Sequence, residues 1–275
     1  RAFPGQGSQR AAMGAGLFAE EPLFRQTVET CLALLDRELA ATLRAAVFSP
    51  QPPADADALL ARTDIAQPAL FIMEYTLATL LQAWGLRPSA LVGHSLGEIS
   101  AAALAGMLQL GDALRLVALR GRLMHDSPAG GMLQAALSAD ALRAMLPAEL
   151  AIAACNAPEL TVVAGPADAV DRFADALRGQ GIDHQRLDTG YAFHSPLMDQ
   201  AAAEFSRQLD NLQTAAPSQP ILTNLSGGWL SAEDALDAGR WARQIRQPVL
   251  FAQALEQARL RGALVLEVGP GRTLA

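Results

Sequence analysis

Hydrophobic positions along the chain fall into two textures, helical stripes and short apolar runs, and their alternation persists almost from the first residue to the last. Phe24, Val28, Leu32 and Leu35 recur at helical spacing and predict a core-packed helix within 21–47. After a loop with three prolines at 49–56, Thr63 to Pro68 leads into a long apolar helix, 69–84, closed by Gly85. A short buried strand at 89–92 then meets an Ala-rich helical stretch at 99–107. Gly111-Asp112 reads as a stop followed by an N-cap, opening a second helix that runs to about His125. Its apolar stripe is Ala113, Leu116, Val117, Leu123 and Met124; Arg120 sits within that stripe, while Arg115 and Arg122 point elsewhere.

From Gly131 the texture changes to strand 132–137, helix 139–146, strands 150–155 and 160–164, helix 167–177 and strand 182–187. That β-α-β-β-α-β order predicts a ferredoxin-like unit. Beyond it come a polar helix at 199–212, a strand at 220–225, loop and helix at 229–247, a helix at 249–261 and a strand at 263–268. Strands alternating with helices imply a largely parallel sheet covered on both faces. The predicted fold is therefore α/β: a large α/β-hydrolase-like subdomain with a mostly parallel sheet, from 1–127 and 191–275, and a ferredoxin-like small subdomain inserted at 128–190.

Composition narrows the function. The 275 residues are 51% hydrophobic and 18% charged, which suits a folded globular chain with a sizeable core. A net charge of −7 argues against nucleic acid as a partner. All 21 basic residues are Arg, so a Schiff-base lysine, a Ser-Lys dyad and a P-loop lysine are excluded. Cys31 and Cys155 form no CxxC or His-Cys cluster, so neither a disulfide framework nor a metal site is expected, and the usage fits a reducing, cytoplasmic setting. No apolar run reaches the ~18 residues of a membrane span. With Arg at position 1 and the apolar pattern starting at once, the chain reads as a segment of a longer polypeptide.

The sharpest chemical signal is Gly93-His94-Ser95-Leu96-Gly97, between the strand at 89–92 and the helical stretch that follows. A Gly-x-Ser-x-Gly elbow holds the serine on a tight strand-to-helix turn, where glycines let the two elements approach and the next N–H can stabilise an oxyanion. The alternative is a glycine-bounded turn that merely contains a serine. Phe3-Pro4-Gly5-Gln6-Gly7-Ser8-Gln9 lacks the third glycine of a dinucleotide loop and the Lys of a Walker loop. It is either a simple turn or a loop whose Gln6 N–H completes an oxyanion hole. Arg120 needs a partner on its apolar face, either a structural carboxylate or the carboxylate of a substrate. Among four histidines, His94 adjoins the serine but points away from it, His125 and His184 sit at element ends, and His194 lies in an aromatic segment at the subdomain junction. After a nucleophile elbow, His194 is the favoured general base.

Together with Gln67-Pro68, Glu98, Arg120-Gly121, Ala192-Phe193-His194-Ser195 and Glu267-Val268-Gly269-Pro270-Gly271, these segments resemble the malonyl-CoA:acyl carrier protein transacylases. The nearest likeness is to the acyltransferase domains of modular polyketide synthases. The resemblance implies a ping-pong reaction in which Ser95, activated by His194, takes an acyl group from coenzyme A and passes it to the phosphopantetheine thiol of an acyl carrier protein. It further implies an oxyanion hole from Gln6 and Leu96, a carboxylate clamp at Arg120, and a His194 oriented by the backbone carbonyl of Gln247, with Asp188 as the alternative orienter. A pocket of Gln67, His94, Met124, Asn156, Tyr191 and Phe193 is implied, with no bound cofactor and with neighbouring synthase domains as partners. In such synthases His-Ala-Phe-His usually accompanies malonyl and Tyr-Ala-Ser-His methylmalonyl; Tyr191-Ala192-Phe193-His194 mixes the two. Phe193 takes the space of an α-methyl, which favours malonyl. An acidic carrier calls for a basic face, for which Arg240, Arg243 and Arg246, or Arg186, are candidates. The competing readings are a serine hydrolase of thioesterase type and a non-catalytic interaction module. The transferase reading requires the Arg120 guanidinium within ~10 Å of the Ser95 hydroxyl, the reach of a three-carbon acyl unit.

Overall fold

In the computed structural model, which describes residues 1–274, the strands are β1 (Ala2–Phe3), β2 (Leu91–Gly93), β3 (Gly131–Ala135), β4 (Ala151–Ala157), β5 (Leu160–Gly165), β6 (His184–Arg186) and β7 (Ile221–Leu222). They form two sheets in a mixed α/β fold. The first is parallel, in the order β1-β2-β7, with Ala2 opposite Val92 and Leu91 opposite Ile221. Every residue of these three strands is buried, as expected of parallel strands covered on both faces. The second sheet is antiparallel, ordered β4-β5-β3-β6, and packs its own core, including Leu133, Leu142, Val163, Phe173 and Leu177, under the helices Ala139–Arg143 and Ala167–Gly179. This is the ferredoxin-like topology that the β-α-β-β-α-β order predicts.

The two sheets are tied together where the site lies. The edge strand β4 continues into the first unit through Val249, which bridges Ala154 in parallel, with Cys155 N–H donating to the Val249 carbonyl at 2.9 Å. On the other side Ala129 pairs with Tyr191, and Gly130 N–H donates to the Gly190 carbonyl at 2.8 Å.

Several element boundaries differ from the expectations, each for a local reason. The single helix expected within 21–47 is broken: Pro22–Ala33 ends, Asp36 caps Arg37–Leu43 through Leu39 N–H, and Arg44–Phe48 forms a wider π turn. The long helix starts at Thr63, with Pro68 inside it. A proline there removes the bond to the carbonyl four residues back and crowds that carbonyl, and the burial of the helix outweighs both. The helix expected to begin at Asp112 begins at Leu110, so Asp112 lies in its first turn. The expected strand at 263–268 is reduced to one parallel bridge, Ala2 to Glu267, and Leu264 is 98% exposed. No helix among the described residues is long and apolar enough to cross a membrane.

Close approaches at glycines position the site. A Cβ on Gly93 would lie 1.9 Å from the Gly97 carbonyl carbon, and one on Gly97 would lie 2.4 Å from the Phe3 carbonyl oxygen. At the crossing of helices Thr63–Ala83 and Leu110–His125, a Cβ on Gly121 would meet the Thr63 carbonyl oxygen at 2.9 Å. Substituting Gly93→Ala should therefore destabilise the fold by about 3 kcal/mol, the upper end of overpacking costs. Gly179→Ala, at the end of helix Ala167–Gly179 with a Cβ that would meet nothing within 4 Å, serves as the control and should not lower the melting temperature. Equal melting temperatures for both variants would refute the crowding at the elbow.

Candidate active site

The turn from β2 into the helix Gly97–Leu104 forces Ser95 into the left-handed region at φ 51°. For a non-glycine residue this costs on the order of 1–3 kcal/mol and persists only where neighbours over-determine it. Here both peptide groups of Ser95 are held. Its N–H donates to Asn224 Oδ1 at 2.6 Å, and its carbonyl accepts from Gln244 Nε2 at 2.6 Å. Asn224 also donates its Nδ2 to the Gly93 carbonyl at 2.6 Å and its own N–H to Glu98 Oε2 at 3.1 Å. Glu98 is fully buried and pairs with Arg240, itself 2% exposed, at 2.6 Å; Arg240 also donates to Thr223 Oγ1 at 2.7 Å. Elements far apart in sequence thus lock the elbow from beneath.

Above the elbow three side chains converge. Ser95 Oγ lies 2.9 Å from His194 Nε2, and His194 Nδ1 lies 2.9 Å from the Gln247 carbonyl oxygen. A carbonyl can only accept, so Nδ1 carries the proton and the lone pair of Nε2 faces the hydroxyl. His194 is also left-handed, at φ 58°. Arg120, 1% exposed, donates from Nη2 to Ser95 Oγ at 2.9 Å and from Nη1 to Gln67 Oε1 at 2.8 Å. Its Nε has no hydrogen-bond partner, and no carboxylate forms a salt bridge with it among the described residues.

The electrostatics follow from this burial. Desolvation lowers the Arg120 guanidinium to about 10, opposed by the charge of Glu98, so it stays cationic at neutral pH. His194 is pushed down to about 3, first by burial, then by the positive charge of Arg120 and by His94, with the Gln247 carbonyl pulling the other way. The imidazole is therefore neutral and available as a proton acceptor. Burial also lowers His94.

The other expected residues gather around this centre. His94 turns away from the serine: its Nε2 hydrogen-bonds Asn156 Oδ1 at 2.8 Å, and its ring packs edge-on against Phe251. Gln67 Nε2 reaches Met124 Sδ at 3.4 Å, so both lie beside Arg120. Phe193, 9% exposed, stacks on Tyr191 with ring centroids 5.7 Å apart. Gln6 donates its side-chain amide to Thr63 Oγ1 at 3.3 Å, and the backbone N–H groups of Gln6 and Leu96 have no protein acceptor among the described residues.

Two expectations are corrected. Asp188 is not the orienter of His194, because the Gln247 carbonyl occupies Nδ1. The arginines at 240, 243, 246 and 186 do not form a free basic face: Arg240 is buried against Glu98, Arg243 pairs with Asp237, Arg246 with Asp199 and Arg186 with Asp171. Local spacing cannot reveal such pairing. The same limit hid the support network, since Asn224, Gln244 and Arg240 lie more than 120 residues from the elbow they hold; only Glu98, inside the motif, left a trace.

The family described as acyl transferase domain matches residues 2–274. A phenolphthiocerol/phthiocerol polyketide synthase polypeptide of Mycobacterium tuberculosis is 41% identical over 274 residues, covering 99% of this chain and 18% of that protein. Among solved structures, the acyltransferase domain of SpnD in complex with 2-(pent-4-yn-1-yl)malonyl is 38% identical with a TM-score of 0.91, covering 99% of this chain and 65% of that one. An MCAT from Streptococcus pneumoniae is 27% identical with a TM-score of 0.84, covering 99% and 89%. The chain thus spans less than a fifth of the curated synthase it matches.

The low basicity of His194 sets a pH dependence. In the unfolded chain a histidine takes up its proton near 6.5, whereas folded His194 resists protonation down to about 3. Between those values the unfolded state binds more protons, so stability falls as pH falls through that window. Glutamine at this position does not titrate. Between about pH 7 and pH 4.5, the melting temperature of His194→Gln should drop about 5 °C less than that of the parent. An equal drop in both would contradict the neutral, desolvated imidazole.

Proposed function

The chain belongs to the acyl transferase domain family, and on that premise we propose that it moves a malonyl-type acyl group from coenzyme A to the phosphopantetheine thiol of an acyl carrier protein. The observation that carries this reading is the Arg120 fork, buried, charged, unpaired by any carboxylate among the described residues and 2.9 Å from the Ser95 hydroxyl. A buried cation of this kind costs several kcal/mol unless an anion joins it. The free carboxylate of a malonyl group supplies that anion, in the bidentate geometry a guanidinium prefers.

In the proposed reaction the Ser95 hydroxyl passes its proton to His194 Nε2 as Oγ attacks the thioester carbonyl. The backbone N–H groups of Gln6 and Leu96 receive the oxyanion; one such donor is typically worth about 10²–10³ in rate. Collapse expels the coenzyme A thiolate, which takes the proton from the imidazolium. The carrier thiol then gives its proton to His194, attacks the acyl-serine ester and releases Oγ, which regains the proton. The Gln247 carbonyl keeps Nδ1–H in place throughout. Because the charge of Arg120 depresses His194, a carboxylate on Arg120 makes the imidazole a better base once substrate is bound.

Malonyl is favoured over methylmalonyl, because the ring of Phe193 takes the space an α-methyl needs, although one methyl is worth only about 1–3 kcal/mol. The SpnD acyltransferase domain was solved in complex with a 2-substituted malonyl group, which supports a malonyl-type acyl group here without distinguishing malonyl from methylmalonyl. The hydrolase reading is disfavoured by Arg120 at the nucleophile and by a carbonyl in place of an orienting acid.

Intact-mass spectrometry after mixing with malonyl-CoA tests this function. The expected result is a malonyl adduct on Ser95 that discharges to a carrier thiol; rapid loss of the adduct to water would support the hydrolase. Arg120→Ala should lower the acylation rate by roughly 10²–10³-fold, the cost of a lost buried charge partner. Malonyl-CoA kinetics unchanged in that variant would refute the clamp.

A further inference from the structure

The loop that follows β1 carries Gln6, the candidate oxyanion donor, and its base is wedged in place. A Cβ on Gly269 would lie 2.5 Å from Pro4 Cγ, and one on Gly5 would lie 3.0 Å from His94 Nδ1. Beyond Gln6 the packing opens out: Gly7 takes φ 122°, and a Cβ there would meet nothing within 4 Å. Glycine on both sides leaves the peptide groups around Gln6 free to turn further than ordinary residues would allow. A donor N–H has to be aimed, so something beyond the local backbone must limit that freedom.

The Gln6 side chain supplies the limit. Its Nε2 donates to Thr63 Oγ1 at 3.3 Å, and among the described residues the amide has no other hydrogen-bond partner. Thr63 is fully buried in the first turn of helix Thr63–Ala83. Four residues on, and so on the same face of that helix, Gln67 Oε1 accepts from Arg120 Nη1 at 2.8 Å. Helix Leu110–His125 crosses on this face: a Cβ on Gly121 would meet the Thr63 carbonyl oxygen at 2.9 Å and Gln67 Cβ at 3.5 Å. One helix face therefore holds the Gln6 loop through Thr63 and the Arg120 fork through Gln67, a single turn apart.

We propose that Thr63 is a positioning residue of the transfer reaction: its hydroxyl tethers the Gln6 side chain and thereby aims the Gln6 N–H at the oxyanion formed over Ser95. This inference rests on the acyl-transfer reading of Ser95. Thr63 touches no reacting atom and acts through Gln6. Because the tether and the Arg120–Gln67 bond stand on one helix face, the donor for the thioester oxygen and the fork for the free carboxylate keep a fixed separation. Loss of the tether leaves the fork in place, so substrate still binds while the transition state loses an aligned donor.

The test is single-turnover acylation by malonyl-CoA, quenched at short times, with the Ser95 adduct read by intact mass. Thr63→Val keeps the shape of the side chain and removes the hydroxyl. It should lower the maximal acylation rate about tenfold, part of the roughly 10²–10³ that complete loss of an oxyanion donor costs. The malonyl-CoA concentration giving half that rate should stay at the parent value, a split that general loosening of the fold would not produce. Thr63→Ser, which retains the hydroxyl, should recover most of the rate. Gln6→Ala cuts the same tether from the loop side without touching the buried helix, and should slow acylation by a similar factor. The double variant Gln6→Ala, Thr63→Val should be no slower than either single one, because both remove one contact. A parent-like rate in Thr63→Val or in Gln6→Ala, equal slowing by Thr63→Ser and Thr63→Val, or multiplied effects in the double variant would overturn the tether and leave the acyl-transfer reading intact. A parent chain that forms no Ser95 adduct would overturn that reading and the tether with it.

Discussion

A guanidinium buried beside a serine hydroxyl, with no carboxylate among the described residues to neutralise it, is the interaction on which the rest of the site depends. Arg120 is fixed by one amide, Gln67 Oε1, and by the hydroxyl itself. Its uncompensated charge reaches His194 and helps keep that imidazole neutral. The arrangement is costly in the absence of an anion, and the surroundings absorb the cost. Helix Leu110–His125 crosses helix Thr63–Ala83 at Gly121, where the absence of a side chain lets Arg120 and Gln67 meet.

Ser95 and His194 are held by a different device. Both Ser95 and His194 sit in left-handed backbone, a conformation that neither would keep unaided. Ser95 is pinned by its amide and carbonyl to Asn224 and Gln244, which stand in turn on the buried Glu98–Arg240 pair. The Gln247 carbonyl fixes His194, and two residues further on Val249 pairs with β4 of the small sheet. Asn156 of the same strand holds His94, the neighbour of Ser95. The small subdomain therefore braces the site.

Much of this was legible from the residues alone. Period-2 and period-3.6 patterning marked the β-α-β-β-α-β unit, because each element there is short and buries one face against its own core. The elbow was readable because the backbone path admits only glycine at 93 and 97. Arg120 stood out because a charge in an apolar stripe breaks the pattern around it.

What the sequence by itself determined is the set of candidate groups: a serine on a tight turn, a histidine near the junction and an arginine on a buried face. Only the tertiary structure decided their partners. The carbonyl of Gln247 could not be proven from sequence, since every residue has a carbonyl and only the fold aims one. Arg240, at helical spacing with Arg243 and Arg246, reads as surface and is instead the buried counter-ion of Glu98, 142 residues away. Helix Thr63–Ala83 passes through Pro68, and the run at 263–268 keeps a single bridge, because burial and edge pairing outweigh local preference. Periodicity reports which face of an element is apolar; it carries no information about which distant element will cover that face.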